Sequence, residues 1–358
     1  MEQLTLSNIR ARALLAPLPR PITTAVGAIE RAPLILIDLE TREGVIGTSY
    51  LFGYSPLVLG PVTKMIENLG AHLSGSPADP GAIFRRLERD FLLLGREGLV
   101  TMAIAGIDMA LWDAQGKAAG RSVADLLGAT ARPIAAYESH GIFDEARDRD
   151  AIEGSLARGF RALKFRLGAG DLCADLDALR GFRAIVGPEI DLMVDYNQSL
   201  DADDAIRRIN ALAEVDRLVW IEEPIPAHNF AGYRKIRSSV STPIQAGENW
   251  WLPSGAMRAI EGAVSDLAMP DMMKIGGFSG WMETSGLLNK AKLPISSHIF
   301  IEASAHTLAA TPGAHMLEYM DMAGGVLEEP YGVMDGALQA RGPGLGIAWD
   351  EAAIARLS

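Results

Sequence analysis

From about residue 131 the chain repeats one pattern: a short apolar strand, a loop, an amphipathic helix, then a strand again. Strand candidates are IAAYES, ALKFRL, IDLMVDY, LVWIEEP, PIQAGE, DLAMPD, LPISSH and HMLEYM. Helical segments such as DDAIRRINALAEV and SGAMRAIEGAV lie between most of them. Strands this apolar need cover on both faces, and a parallel β/α arrangement supplies it. Eight such units predict a closed barrel. An open doubly wound sheet is the alternative, but no G-x-G-x-x-G follows the first strand. The late GPGLG at 342–346 lacks a strand-turn-helix setting.

Residues 1 to about 130 have another organisation. LTLSNIRARALL and APLILIDLETREGVIGTSYL are β-rich, and the second breaks at TREG as a hairpin does. Helical patterns follow. The long GLVTMAIAGIDMALWDAQGKAAG is small and apolar on most faces, which predicts a helix buried at a domain interface. The tail AWDEAAIARLS is a short amphipathic piece expected to pack on this first unit. A length of 358 residues suits one large barrel or two domains.

Several function classes drop out. A net charge of −12 without a Lys/Arg cluster argues against a nucleic-acid surface. No apolar run approaches the roughly 20 residues that span a bilayer, and MEQLTLSNIRARALL does not read as a signal peptide. The single cysteine, Cys173, rules out an internal disulfide and fits a reducing compartment. The expectation is a cytoplasmic protein with no nucleic-acid or membrane partner.

Functional side chains of a parallel barrel gather at the C-terminal ends of its strands. Here those ends carry Asp195, Glu222, Glu223, Glu248, Asp271, Lys274, His298 and Glu318. Asp195, Glu222 and Glu248 follow one another at nearly equal steps of about one β/α unit, so consecutive strands would present one carboxylate each to one pocket. Gathered without counter-charge they would raise one another's pKa values, and a hard divalent cation such as Mg²⁺ resolves that conflict. Glu223, next to Glu222, should face the other way in a structural ion pair. The Met-rich MPDMMK reads as core filling, His306 and His315 as packed or surface histidines, and Cys173 as an inert residue on a helix. In ALKFRLG, alternation points Lys164 and Arg166 the same way and Phe165 the other. Two cations on so apolar a strand need a reason.

These residues resemble the enolase superfamily, and within it the mandelate racemase subgroup. The similarity runs nearly end to end, through TAVGAIERAPLILIDL, GTSYLFGY, AAGIDMALWDA, MVDYNQSLD, WIEEP, GENW, LAMPDMMKIGG, SSHIF and HTLAATPGAHMLE. It implies a (β/α)7β modified TIM barrel over 131–320 under an α+β capping domain. The cap would be formed by residues 1–130 together with a C-terminal segment, 321–358. It implies Asp195, Glu222 and Glu248 as ligands of Mg²⁺, with Mn²⁺ as the alternative. The family's His–Asp dyad falls on His298 and Asp271, and an acid bonding a substrate carboxylate oxygen on Glu318. Asn197 and Ser139 would lie near substrate and metal, while Ile22, Val26, Ile29 and Tyr54 would close over the substrate.

The family's Lys-x-Lys motif falls on Lys164 and Arg166, a departure at its second position. The implied chemistry is abstraction of the α-proton of a 2-hydroxy carboxylate through an enediolate, the superfamily's use of a Lys or His base with Mg²⁺ being a standard case. Lys164 and a protonated Glu318 would donate to the charge that develops on the carboxylate. His298, set by Asp271, would be the base near neutral pH. Guanidinium is a poor proton acceptor, so Arg166 bears on whether both faces of the α-carbon have a base. The readings are a mandelate racemase-like racemase or epimerase, an acid-sugar dehydratase using the same dyad, and a non-catalytic metal-binding relative. The apolar cap residues favour an aryl or alkyl side chain. The resemblance also implies a small-molecule carboxylate substrate and a symmetric homo-oligomer such as an octamer.

Overall fold

A computed structural model of the chain describes residues 3–24 and 27–357. Three antiparallel strands come first: β1 (Leu6–Thr24), β2 (Gly27–Thr41) and β3 (Ile46–Phe52), side by side in that order. The TREG break is the tight turn from β2 to β3, and Gly44 takes the left-handed conformation there at φ 81°. Helices α1 (Leu59–Leu73), α2 (Pro80–Asp90), α3 (Leu99–Ala119) and α4 (Val123–Leu126) follow. The helix read as apolar on most faces is α3. It is buried along nearly its whole length, with β3, β2 and α1 packed against it on the cap side.

The barrel strands are β4 (Ile134–Ile142), β5 (Ala162–Arg166), β6 (Asp191–Asp195), β7 (Leu218–Glu222), β8 (Ile244–Ala246), β9 (Leu267–Ala268), β10 (Ile295–Ser297) and β11 (Ala314–Tyr319). They run parallel in chain order, and β11 returns to β4 with Leu317 opposite Ala136, which closes the cylinder. Helices α5 (Glu145–Ala157), α6 (Leu172–Val186), α7 (Ala202–Val215), α8 (Phe230–Arg237) and α9 (Leu252–Glu261) follow the first five strands in turn. Both α10 (Met272–Ile275) and α11 (Gly277–Lys290) lie in the sixth connection, and α12 (Ile301–Ala309) in the seventh. The fold is a (β/α)7β barrel under an α+β cap, and α3 packs on α10 and α11 where the two meet.

A short strand, β12 (Ala337–Leu338), pairs antiparallel with β4, and the chain then returns to the cap. Trp349 Nε1 donates to Asp38 Oδ1 at 2.7 Å, and Arg12 pairs with Glu351 of α13 (Glu351–Leu357) at 2.6 Å. No helix among the described residues is long and apolar enough to cross a membrane.

The seat of β3 on α3 depends on Gly47, where a Cβ would stand 2.0 Å from the carbonyl oxygen of Ala110. Gly47→Ala is therefore expected to cost about 1–3 kcal/mol through overpacking. Gly60→Ala on α1, with no atom within 4 Å of the new carbon, should be neutral or stabilising by about 0.5–1 kcal/mol. Urea denaturation of both variants checks this, and equal stabilities would refute the close approach.

Candidate active site

The register of the parallel strands assembles the site. Arg166 lies opposite Asp195, and Asp195 opposite Glu222, so three charged residues share one level at the strand ends. Alternation on β5 sends Lys164 and Arg166 inward, while Phe165 stacks outward on Phe182 of α6 with ring centroids 4.4 Å apart. Lys164 is fully buried, and its Nζ donates to Glu222 Oε1 in a short contact. It stands 2.8 Å from Glu318 Oε1 and 3.6 Å from Asp195 Oδ2. The cation pair on β5 thus has its reason: it faces buried carboxylates.

Across the barrel mouth His298 follows β10. Its Nδ1 lies 2.6 Å from Asp271 Oδ2, and its Nε2 lies 3.0 Å from Glu248 Oε2. Asp271 is held by its own helix: its Oδ1 accepts from Met273 N at 2.8 Å and Lys274 N at 2.9 Å, capping α10. Arg166 is clamped, with Nε donating to Asn197 Oδ1 and Nη1 to the carbonyl of His140, each at 3.0 Å. Asn197 in turn donates to Asp195 Oδ2 at 2.8 Å.

Burial raises the pKa of Asp195 and pushes Glu222 up to about 8, with Lys164 working in the opposite direction. Burial also opposes the charge on Lys164, but Glu222, Glu318 and Asp195 outweigh it and raise its pKa. The same contest raises His298 well above 6.5 through Glu248 and Asp271, and lowers Glu248 through His298.

One expectation changes, at Glu223, and two others meet an opposing electrostatic trend. For Glu318, expected as a protonated donor, burial favours the acid form, but Lys164 and His298 overcome it and lower its pKa. Its Oε2 accepts from Ile299 N at 3.1 Å. His298, expected as the base near neutral pH, has an acid at each ring nitrogen, and both raise its pKa. Glu223 has no ion pair among the described residues. It is buried, its Oε2 accepts from Asn249 Nδ2 at 2.7 Å, and its Oε1 has no partner. The strand ends at Glu222, and a left-handed backbone at Glu223 (φ 35°) breaks the alternation on which that expectation rested.

The carboxyl groups of Asp195, Glu222, Glu223, Glu248, Asp271 and Glu318 outnumber Lys164, Arg166 and Lys274, even with His298 charged. Among the described residues no three acids or histidines are spaced as a finished metal cage. Asp195, Glu222 and Glu248 turn instead to Asn197, Lys164 and His298. An all-oxygen donor set with surplus negative charge nonetheless fits a hard divalent cation, and these three strand-end acids could hold it.

Above this floor lies a chamber of about 650 Å³. His298, Glu248, Asn197 and Arg166 reach its wall, as do Ile22, Ile29 and Tyr54. Val26 lies outside the described residues. Ser139 is buried on β4 and faces a smaller side cavity, not this chamber. Met272 is core filling as expected, whereas Met273 is also part of the chamber wall. His306 is a buried packing residue that accepts from Ala124 N at 3.1 Å, and Cys173 is exposed on α6. Sequence reasoning gave no role to Lys274, whose Nζ donates to Asn249 Oδ1 at 2.7 Å and sits 4.6 Å from the Tyr54 ring centroid. Its partners come from two distant segments, the cap and the loop after β8, which no local pattern signals.

Residues 8–128 match the family model described as mandelate racemase / muconate lactonizing enzyme, N-terminal domain. Residues 147–353 match the one described as enolase C-terminal domain-like. The chain is 30% identical to L-talarate/galactarate dehydratase of Salmonella typhimurium, over 85% of this chain and 77% of that protein. It is 30% identical to 3,6-anhydro-alpha-L-galactonate cycloisomerase of Streptomyces coelicolor, over 99% of each. Among solved structures, an enolase from Bradyrhizobium complexed with magnesium and mandelic acid superposes with a TM-score of 0.97. It shares 47% identity and covers 100% of this chain and 99% of its own.

The pairing of Lys164 makes a pH-dependent prediction. Lys164→Met leaves buried carboxylates uncompensated, a loss of about 3–5 kcal/mol where they ionise. A carboxyl whose folded pKa is raised, as Glu222 is to about 8, keeps its contribution at low pH and loses it as pH rises through the folded value. Removing Lys164 raises that value further, so the gap between wild type and variant in urea should stay nearly constant below about pH 7 and widen as pH rises through about 8. A gap independent of pH would contradict the pairing.

Proposed function

Since the chain belongs to the mandelate racemase/muconate lactonizing enzyme family of the enolase superfamily, we propose that it abstracts the α-proton of a 2-hydroxy carboxylate in a Mg²⁺-dependent, mandelate racemase-like reaction. The observation that carries this reading is the His298–Asp271 dyad, with His298 in the chamber wall and a buried Lys164 ammonium beneath. Asp195, Glu222 and Glu248 would hold the cation, which supplies Lewis acidity toward the substrate carboxylate when bound.

The protein's own part follows from the distances. Lys164 donates toward the substrate carboxylate as negative charge grows there. His298 exchanges the α-proton at Nε2, and Asp271 fixes its tautomer through Nδ1. Glu248 and His298 now satisfy each other, so a base at Nε2 needs Glu248 engaged elsewhere. Arg166, charged and clamped by Asn197 and His140, orients substrate but accepts no proton. The apolar wall of Ile22, Ile29, Phe52, Leu99 and Met102 suits an aryl or alkyl side chain.

The non-basic Arg166 favours a second reading, acid-sugar dehydration through the same dyad, and a sugar-acid dehydratase is among the relatives. The lone exposed Cys173 suits a reducing cytoplasm, and the exposed Leu92, Leu93 and Leu94 suit contact with further copies in a homo-oligomer.

Glu222→Gln is expected to weaken Mg²⁺ binding at least tenfold in titration calorimetry and abolish turnover with the fold intact. Glu223→Gln keeps an acceptor for Asn249 and should be much milder. Equal losses would mean that the wrong glutamate has been chosen.

With Mg²⁺ in D₂O, one enantiomer of mandelate should take up α-deuterium with retained configuration, and the other should stay nearly unlabelled. His298→Asn should abolish the exchange, and Arg166→Lys should raise racemisation. Comparable racemisation of both enantiomers by wild type, followed by polarimetry, would refute the one-base reading. A 2-keto-3-deoxy product from sugar acids with no exchange on mandelate would favour dehydration.

A further inference from the structure

Arg166 lines two spaces, not one. Behind it, between β1 of the cap and the ends of β4 and β11, lies a side cavity of about 110 Å³. Arg20, Arg158, Ser139, Glu138 and Asp321 share its wall with Arg166, and Ile22 and Met320 belong to both spaces. The two spaces are thus separated only by side chains, and the smaller one gathers guanidinium groups from three separate segments.

Arg20 is the least well matched of these cations, since Arg166 has Asp195 at 3.7 Å and Arg158 has Glu138. Arg20 Nη1 donates to His140 Nδ1 at 2.8 Å, so that ring is an acceptor and neutral. Burial, reinforced by Arg20, holds the His140 pKa well below 6.5. The remaining contacts of Arg20 are long: 3.5 Å to Glu138 Oε1 and 3.4 Å to the Ser139 carbonyl. Glu138 is already engaged by Arg158 in a short ion pair. Burial, only partly offset by Glu138, lowers the Arg20 pKa, as expected of a guanidinium short of negative charge. Asp321 is the other acid present. Its Oδ1 accepts from Gly324 N at 2.6 Å, and burial raises its pKa. Ser139 is buried, and its Oγ has no partner among the described residues. A planar anion small enough for the cavity would meet guanidinium forks and a free hydroxyl.

We propose that this side cavity is a carboxylate subsite, and that the substrate is a 2-hydroxy acid carrying a second carboxylate, which passes Arg166 to reach Arg20. This rests on the α-proton reading above for the placement of the first carboxylate. Arg166 then orients the substrate from between its two acid groups, and Arg20, on the cap, couples cap position to the presence of the second charge. The larger apolar chamber accommodates the rest of the chain.

The test is calorimetric titration of the Mg²⁺-loaded protein with 2-hydroxysuccinate and with 2-hydroxybutanoate, which carries a methyl where the former has its second carboxylate. One charge-assisted contact in a partly buried site predicts about ten- to a hundredfold tighter binding of the diacid. Arg20→Gln should collapse that ratio toward one, and Arg20→Lys, a point charge without the fork, should restore part of it. Arg158→Gln provides a second probe at a more exposed position. Equal affinities in wild type, or a preference untouched by both glutamine variants, would overturn the subsite. Deuterium exchange on the same acids separates the two proposals. Diacid preference without exchange supports the subsite and sinks the reaction, whereas exchange without diacid preference sinks the subsite alone.

Discussion

The buried ammonium of Lys164 is the contact around which the barrel mouth is organised. Carboxylates from β6, β7 and β11 converge on it. None of them could stay ionised so far from water without a positive charge at their centre. Lys164 is in turn fixed by packing, since the next residue, Phe165, is stacked on Phe182 beneath α6. One strand of five residues thus ties the core outside the barrel to the charge balance inside it. A one-residue slip of β5 would exchange these faces, putting Phe165 among carboxylates and Lys164 in the apolar layer.

Consecutive residues on a strand face opposite ways, yet this site needs neighbouring residues to face one mouth. Left-handed backbone where the strands end resolves the conflict. Asn197 and Gln198 follow β6 at φ 45° and 65°, Glu223 follows β7 at 35°, and Ile299 and Phe300 follow His298 at 36° and 48°. Such conformations cost of order 1–3 kcal/mol each in non-glycine residues, and they persist only where surrounding contacts enforce them. Here those contacts are polar and local. Asn197 N donates to Asp195 Oδ1 at 2.7 Å, and the Ile299 amide donates to Glu318. The same carboxylates that surround Lys164 therefore hold the strained turns that aim their neighbours inward.

This division explains what was legible in the sequence. Period-two patterning and the spacing of Asp195, Glu222 and Glu248 report regular strands, so the barrel, the β5 faces and the row of acids could be read from residues alone. Glu223 was misread because its direction is set by a left-handed turn, and nothing in EEP announces one. The electrostatic setting of Glu318 and His298 was not legible for a different reason. It depends on the sum of charges from five strand ends, and Glu248 in particular lies 3.0 Å from the imidazole whose pKa it raises. Lys274, Arg20 and His140 went unassigned because their partners come from the cap or from distant loops.

Arg166 shows how a departure from a family pattern is absorbed by the structure around it. Its guanidinium uses two separate N–H directions, one toward Asn197 and one toward a backbone carbonyl of β4. A lysine's point charge could not hold both in that fixed fork. Asn197 passes the constraint to Asp195, one of the acids proposed to hold the cation, while His140 passes it to Arg20 on the cap. A chain of hydrogen bonds thus runs from β1 of the cap through His140, Arg166 and Asn197 to Asp195. A change at the second position of the Lys-x-Arg pair therefore reaches further than one base. It alters how the cap is tethered to the floor of the site, which is why the chemistry at Arg166 and the anchoring of Arg20 belong to one physical question.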